Sequence, residues 1–210
     1  MACPVSPLPA LTTSTADSII QVMPRLPERI DGEGILLRLW RPDDAERLSR
    51  AIAESGDHLR PWMAWMADEP QTNERRRAML ACWEQAWAEG GDAYYAVLLE
   101  RRLIGSCGLH RRVGPDALEL GYWIHAGFLR RGLARKVAAR LTDAAFALPE
   151  ITHVEIHHDK ANVASAGVPR RLGYRFVGEQ ADEPTAPADT GIECVWRMER
   201  ADWSTADAAA

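Results

Sequence analysis

Residues 118–134 read LELGYWIHAGFLRRGLA, and this stretch decides the fold. Its first half is rich in residues that favour strands, which predicts a strand over residues 117–125. Its second half opens an apolar stripe with helical period, which predicts a helix from about Gly132 to Phe146. A tight loop that holds Arg130, Arg131 and Gly132 joins the strand to the helix.

The loop has the properties of an anion-binding site. The first amides of a helix lack partners within the helix, and the helix dipole adds positive charge there. A glycine lets an anion approach the backbone, and arginines add charge and forked donors. The alternative is a helix N-terminus that carries basic surface residues and binds no ligand. Two nucleotide-binding motifs, GxxxxGK[ST] and GxGxxG, are absent from the sequence. We expect a pyrophosphate to bind beside Arg130, on the amides of Arg131, Gly132, Leu133, Ala134 and Arg135.

The elements predicted on either side do not form equal βαβ units. Upstream, the pattern predicts strands at 35–40, 93–99 and 103–109 and helices at 42–55 and 72–90. Downstream, it predicts strands at 152–158, 174–178 and 192–200 and one helix at 162–172. This order argues against a doubly wound dinucleotide-binding fold and predicts an α+β (α/β) domain. A chain of 210 residues fits one such domain. We assign residues 30–203 to it, residues 1–29 to a flexible or surface-draped arm, and residues 204–210 to a tail.

Composition narrows the class of function. A formal net charge of -5 argues against sequence-independent binding of nucleic acids, which needs a basic surface. Residues 1–21 carry no basic region followed by an apolar one, and no window approaches 18 apolar residues, so we expect neither a signal peptide nor a transmembrane helix. The four cysteines form no CxxC pair, and His157 with His158 is interpreted as part of a strand, so we expect no metal site. We expect reduced thiols and a cytoplasmic protein.

Further motifs accompany the first stretch in a fixed order. They are LLRLWRPDDA at 36–45, HLRPWMAW at 58–65, IGSCGL at 104–109, RRGLA at 130–134, NVAS at 162–165 and LGY at 172–174. In this combination the sequence resembles the GNAT superfamily of acetyltransferases, and within it the RimJ/RimL-like branch, over residues 30–203. The resemblance implies a mostly antiparallel mixed sheet of about seven strands flanked by helices. It also implies that acetyl-CoA donates an acetyl group to a primary amine by direct attack in a ternary complex. The acceptor expected for this branch is a protein N-terminal amine, and a homodimer is expected because many members form one.

Two positions depart from the pattern of the family. Leu129 stands where the signature usually begins with Gln or Arg, so one polar contact on the phosphate side is missing or is supplied by Arg130. Pro169 stands where many members have a catalytic tyrosine, and the resemblance makes Ser165 the substitute. Because Pro169 has no N–H, the Ser165 carbonyl loses its helical donor, and we expect polar groups of Ser165 to face a ligand.

The resemblance assigns roles on the cofactor side. The pantetheine arm is expected to pair with Trp123, Ile124 and His125, with the Ile124 N–H polarising the thioester carbonyl. Ser165 is expected to protonate the departing thiolate or to bind the cofactor by a hydrogen bond. Asn162 is expected to cap its helix, to contact the pantetheine, or both.

Two residues are candidates for the general base. Glu119 shares a strand face with Trp123, and partial burial between Leu118 and Leu120 is expected to raise its pKa toward the working range. The alternative is a solvated strand carboxylate. His110, just after the third predicted strand at 103–109, is the second candidate, and the alternative is an exposed histidine in a hairpin loop.

Tryptophans are the candidates for the acceptor pocket. We assign Trp40, Trp62 and Trp65 to it, and Trp62 and Trp65 lie in a connector between helices. The helical spacing of Trp83 and Trp87 favours core positions instead.

Two other functions remain as alternatives. One is a small-molecule acetyltransferase, such as one that inactivates an aminoglycoside, and the acidic loop at 179–189 would suit a cationic small molecule if it overhangs the pocket. A non-catalytic acyl-CoA sensor is the other alternative, because the usual tyrosine and the usual Gln or Arg are missing.

Overall fold

One eight-stranded sheet organises the residues that the computed structural model describes, 25–32 and 34–204. The strands lie side by side in the order β1-β2-β3-β4-β5-β6-β8-β7. Only β5 and β6 are parallel, and every other neighbouring pair is antiparallel. The strands are β1 (Arg29–Gly32), β2 (Ile35–Leu39), β3 (Ala93–Leu99), β4 (Arg102–His110), β5 (Ala117–Ile124), β6 (His153–Asp159), β7 (Arg175–Ala181) and β8 (Ile192–Glu199).

This is the mixed, mostly antiparallel sheet that the sequence predicts, with one strand more than the expected number. The additional strand is β1, which forms an edge hairpin with β2. Its sequence RIDG has one apolar residue, Ile30, and therefore shows no alternation from which a strand could be predicted.

Five α-helices cover the two faces of the sheet within the described ranges. Helices α1 (Ala45–Glu54), α2 (Gly56–Leu59) and α3 (Asn73–Ala88) lie on one face, and α4 (Leu133–Phe146) and α5 (Val163–Arg171) lie on the other. Each face has its own hydrophobic cluster. Trp40, Leu48 and Leu80 are buried on the α1–α3 face, and Val137 and Leu141 are buried on the α4–α5 face.

Single residues define the helix ends, as the sequence predicts. The Thr72 hydroxyl accepts a hydrogen bond from the Arg75 amide at 3.2 Å and caps α3. Asn162 caps α5 in the same way, accepting from the Ser165 amide at 3.1 Å. Gly132 precedes α4 with φ +72°, a conformation that glycine adopts without strain.

The last residues of the predicted arm are fastened to the domain. Leu26 is buried, and its carbonyl accepts a hydrogen bond from the Trp87 indole at 2.7 Å. The Tyr95 hydroxyl donates to the Pro27 carbonyl at 2.8 Å. Residues 1–24 of the arm, Glu33, and residues 205–210 of the tail lie outside the described residues. Among the described helices, none combines the length and apolar character needed to span a bilayer.

Candidate active site

The parallel ladder between β5 and β6 ends early and leaves a gap in the sheet. It pairs residues 117–119 with residues 153–155 and stops there, although both strands continue for several residues. A cavity of about 360 Å³ opens at this gap and is lined by residues of both strands. Because Trp123 and Tyr122 both reach it, the cavity is accessible to side chains from both faces of the sheet.

Successive side chains of β5 point to opposite faces of the sheet. Leu118, Leu120 and Tyr122 pack with the cluster under α4, whereas Trp123 packs with the cluster under α1–α3. Glu119 lies on the same face as Trp123, as the strand period predicts. The site is therefore divided into an α4–α5 side and an α1–α3 side, which meet at the gap.

The predicted anion site lies on the α4–α5 side. The Gly132 carbonyl accepts from the Lys136 amide at 3.2 Å, so the amides of residues 133–135 precede the first donor of the helical ladder. Arg130 and Arg131 are exposed beside this helix end, and Arg130 adopts φ +59°. Arg131 donates to the Gly127 carbonyl at 3.2 Å, which holds its guanidinium against the loop. The structure thus brings the predicted anion-binding residues together.

The backbone at the end of β5 distinguishes Ile124 from His125. The His125 amide donates to the Ile104 carbonyl at 2.8 Å and is used within the sheet. Successive amides of a strand point to opposite edges, so the Ile124 N–H points toward the gap. The His125 ring accepts from the Gly127 amide through Nδ1 at 3.0 Å, and its Nε2 lies 2.9 Å from Glu54. The His125 amide is therefore not available to a ligand, whereas the Ile124 amide is directed away from β4.

Ser165 lies at the α5 edge of the cavity and contacts a tyrosine of β5. The Tyr122 hydroxyl is 3.2 Å from Ser165 Oγ and donates to the Ser165 carbonyl at 3.3 Å. That carbonyl is available because Pro169, four residues on, has no N–H to donate. The carbonyl is therefore engaged by Tyr122 and is not free for a ligand, contrary to the expectation. Burial raises the pKa of Tyr122 to about 12, so its hydroxyl keeps its proton at neutral pH.

His110 is placed differently from the expectation of a loop residue. It is the last residue of β4 and only 7% of its surface is exposed. Its Nδ1 lies 3.0 Å from Asp92 Oδ2, and its ring is tilted against Tyr94 at 4.9 Å between centroids. Gly108 and Gly121 leave space for the ring. A Cβ would lie 3.0 Å from Nε2 at Gly108 and 3.4 Å from it at Gly121.

Glu119 lies beside His110 in the register of β4 and β5. Its residue surface is 8% exposed. The Arg112 guanidinium donates a hydrogen bond to each of its carboxylate oxygens, with 2.5 Å between Nε and Oε2. Burial by itself raises the pKa of Glu119, but hydrogen bonds and positive charge from Arg112 outweigh burial, and the pKa lies below its ordinary value of 4.5. The expected upward shift is therefore wrong in direction, because the sequence pattern does not show the arginine across the hairpin.

The Arg112–Glu119 pair predicts a stability that depends on pH. Because the folded pKa of Glu119 is depressed, the pair stabilises the fold above pH 4.5, and this stabilisation disappears as the pH falls through the folded pKa. We expect Arg112→Gln to cost about 1 kcal/mol at pH 7, or about 2–4 °C in melting temperature. The difference in melting temperature between the variant and the wild type should become smaller as the pH is lowered, as measured by thermal melts from pH 7 to pH 3. Arg77→Gln, which removes an exposed arginine of α3, is the control, and a deficit independent of pH would refute the assignment.

Aromatic side chains form the wall of the cavity on the α1–α3 side. Trp62 and Trp65 line it as predicted, and Trp65 packs against Trp123 at 6.4 Å between centroids. Trp83, predicted to be a core residue, also lines it and stacks on Tyr94 at 4.2 Å. Trp40 does not reach the cavity, because it is 1% exposed and its indole N–H donates to Ser106 at 2.9 Å.

The loop between β7 and β8 reaches the same wall. The Ala188 amide donates to the Pro61 carbonyl at 2.9 Å, next to Trp62. Asp189 of this loop lines the cavity. Its carboxylate accepts from the amides of Thr185 and Ala186, which fixes the shape of the loop.

The sequence does not single out three residues that the structure places at the site. Tyr122 belongs to the decisive stretch, and its place directly before Trp123, which the sequence assigns to the cofactor, was the available signal. Asp92 and Arg112 are polar residues next to strand ends, and nothing in their local pattern indicates their partners. The other histidines of the cavity, His157 and His158, lie on β6 as predicted.

The site thus combines three features. They are a gap between two parallel strands of a mixed sheet, a helix N-terminus on one side, and a polar, aromatic pocket on the other. The family model for the acetyltransferase (GNAT) domain matches residues 35–175. The chain therefore belongs to the GNAT acetyltransferases and is an N-acetyltransferase.

Known proteins of this family resemble the chain over most of its length. YdaF of Bacillus subtilis (strain 168), provisionally named a ribosomal N-acetyltransferase, is 29% identical over 152 residues, which cover 71% of this chain and 82% of YdaF. A crystal structure of a provisionally named acetyltransferase superposes with a TM-score of 0.75 at 26% identity, covering 82% of this chain and 96% of that one. RimL, the ribosomal L7/L12 α-N-protein acetyltransferase, in complex with coenzyme A, has a TM-score of 0.75 at 17% identity, covering 82% and 98%.

Proposed function

We propose that the protein transfers the acetyl group of acetyl-CoA to the N-terminal amine of a protein, in a ternary complex and by direct attack. Two relatives support the acceptor: YdaF is named for ribosomal N-acetylation, and RimL for the N-terminus of a ribosomal protein. We also propose a cytoplasmic location, where the free thiols Cys82, Cys107 and Cys194 stay reduced.

Residues of the α4–α5 side are proposed to hold acetyl-CoA, which supplies the thioester when bound. The amides of residues 133–135, with Arg130 and Arg131 beside them, fit the pyrophosphate. The Ile124 N–H, which points into the gap, donates to the thioester oxygen and stabilises the negative charge that develops there. Asn162 and Ser165 line the cavity and contact the end of the pantetheine arm.

Proton transfer is proposed to use residues on both sides of the gap. His110 Nε2 takes a proton from the acceptor ammonium, and the neutral amine then attacks the thioester carbon. Glu119 lies opposite His110 in the sheet register, and its negative charge stabilises the imidazolium that results. The departing thiolate receives a proton from Ser165 Oγ, and Ser165 recovers one from the attacking nitrogen, which must lose its second proton as the amide forms.

One observation carries the proposal. The cavity is lined from both faces of the sheet at the gap, so a thioester held on the α4–α5 side and an amine held on the α1–α3 side meet there. Trp62, Trp65 and Trp83 provide an apolar wall that excludes water from the neutral amine.

Ligand-dependent melting followed by an acceptor screen tests the function. A ligand at 100 times its Kd stabilises by about 2.7 kcal/mol, so acetyl-CoA and coenzyme A should raise the melting temperature by about 5–10 °C, and ATP and NAD should not. Peptides with a free N-terminus should then gain one acetyl group by mass spectrometry. The same peptides with a blocked N-terminus but an internal lysine are the matched control.

Other outcomes decide against the proposal. Acetylation of aminoglycosides or polyamines in preference to every peptide would show a small-molecule acceptor. Tight binding of acetyl-CoA without turnover of any amine would show a sensor.

A further inference from the structure

Asp92 lies outside the predicted site, yet it contacts His110. It directly precedes β3, and because Ala93 pairs with Leu109, Asp92 comes to lie beside the end of β4. Its Oδ1 accepts from the Arg111 amide at 2.8 Å, and its Oδ2 lies 3.0 Å from His110 Nδ1. Both oxygens are therefore held, and the carboxylate has one orientation relative to the imidazole.

The charge of Asp92 determines which nitrogen of His110 carries the hydrogen. Burial by itself raises the pKa of Asp92, but hydrogen bonds from His110 and the Arg111 amide outweigh burial, and the pKa lies below its ordinary value of 3.8. A carboxylate only accepts hydrogen bonds. The neutral imidazole must therefore place its hydrogen on Nδ1, which leaves a lone pair on Nε2.

The Nε2 atom is directed to where the reaction is proposed to occur. It lies over Gly108 and Gly121, both of which line the cavity, and within the described part of the chain it has no hydrogen-bond partner. The two other histidines of the cavity differ. His158 accepts from the Trp196 indole and lies 2.8 Å from the Asp159 carbonyl, so both its nitrogens are engaged. His157 lies between the carboxylates of Glu155 and Glu193.

We propose that Asp92 is a positioning residue, which holds His110 as the Nδ1–H tautomer so that Nε2 is the base of the acetyl transfer. The inference rests on the proposed function and names a residue of the same site. The N–H bond of the acceptor ammonium breaks, Nε2 takes the proton, and the imidazolium stays paired with Asp92. The amine nitrogen then forms its bond to the acetyl carbon while the carbon–sulfur bond breaks. The nitrogen loses its second proton, which passes through Ser165 to the departing sulfur. The proton on Nε2 returns to solvent after product leaves.

Nitrogen-15 NMR of histidine-labelled protein tests the tautomer without any acceptor. In the wild type at pH 8, His110 should show a protonated Nδ1 and an unprotonated Nε2. In Asp92→Asn, whose carboxamide oxygen and NH2 group can both face the ring, the population should shift toward the Nε2–H form. Asp31→Asn removes a carboxylate of β1 that pairs with Arg29 and is the matched control.

Kinetics of the same variants test the role. Asp92→Asn should lower kcat by about 10²- to 10⁴-fold, with the KM for acetyl-CoA changed far less, and Asp92→Glu should recover part of kcat. A wild-type His110 with its hydrogen on Nε2 would overturn the inference even if the variants did not fold. Wild-type kcat in Asp92→Asn would do the same. A wild type that acetylates no amine but has the expected tautomer would instead reject the proposed function.

Discussion

His110→Ala lowers kcat by about 10²- to 10⁴-fold, the range expected when a general base is removed. The ring lies on the α1–α3 side, and its Nε2 lies against Gly108 and Gly121, which line the cavity. Its removal leaves the anion-binding amides of α4 untouched, so the melting shift with coenzyme A stays as in the wild type. Initial rates at saturating acetyl-CoA, together with the melting shift, measure the two effects separately.

Two further variants test whether the loss of activity is specific to His110. His58→Ala removes a half-buried histidine of α2 that does not line the cavity, and it should keep kcat near the wild-type value. Glu119→Gln should lose less activity than His110→Ala, because Arg112 already holds that carboxylate with a lowered pKa. The opposite order of the two losses would transfer the role of base from His110 to Glu119.

Gly105→Ala is expected to have the largest effect on stability and to weaken cofactor binding as well. A Cβ at this position of β4 would overlap the Trp123 carbonyl oxygen and lie 3.2 Å from Ile124 Cα. Both atoms belong to the backbone of β5, so the clash is relieved only by displacing the end of that strand. Overpacking of this kind costs about 1–3 kcal/mol or more, measurable by urea unfolding. Since the Ile124 amide moves with the strand, the melting shift with acetyl-CoA should shrink too.

Gly178→Ala is the control for the backbone conformation. Gly178 has φ +158°, almost the same as the +159° of Gly105, but a Cβ there would meet no atom within 4 Å. The loss in free energy of unfolding that the two variants share comes from the backbone angle. The additional loss in Gly105→Ala comes from the clash with β5. Equal losses in both variants would show that the end of β5 yields without resistance, and our account of the Ile124 amide would then fail.

The elements of the fold were predictable where one or two residues determine them. Gly132 marks the start of α4 because the backbone there needs a positive φ, and Asn162 marks the start of α5 because its side chain caps an amide. The strands β3, β4 and β5 follow from their apolar runs and the short polar loops between them. Short strand β1, with a single apolar residue, gave no such signal.

The chemistry of the site was predictable only in part, because it depends on contacts between distant residues. The Asp92–His110 contact spans 18 residues and the Tyr122–Ser165 contact spans 43. Periodicity places a residue on a face of its own strand but does not identify its neighbour across the sheet. The sequence therefore names Glu119, His110 and Ser165 as candidates, while the partners that set their protonation and orientation come from the sheet register.

The division of the site between the two faces of one sheet affects how an enzyme of this kind can diverge. Substitutions at Trp62, Trp65 or Trp83 reshape the acceptor wall, and they lie across the sheet from α4 and α5. A lineage can therefore adopt a new acceptor while it inherits the acyl-donor side unchanged. For protein engineering, the same division means that a library confined to the aromatic wall samples acceptors without repeatedly rebuilding the donor site.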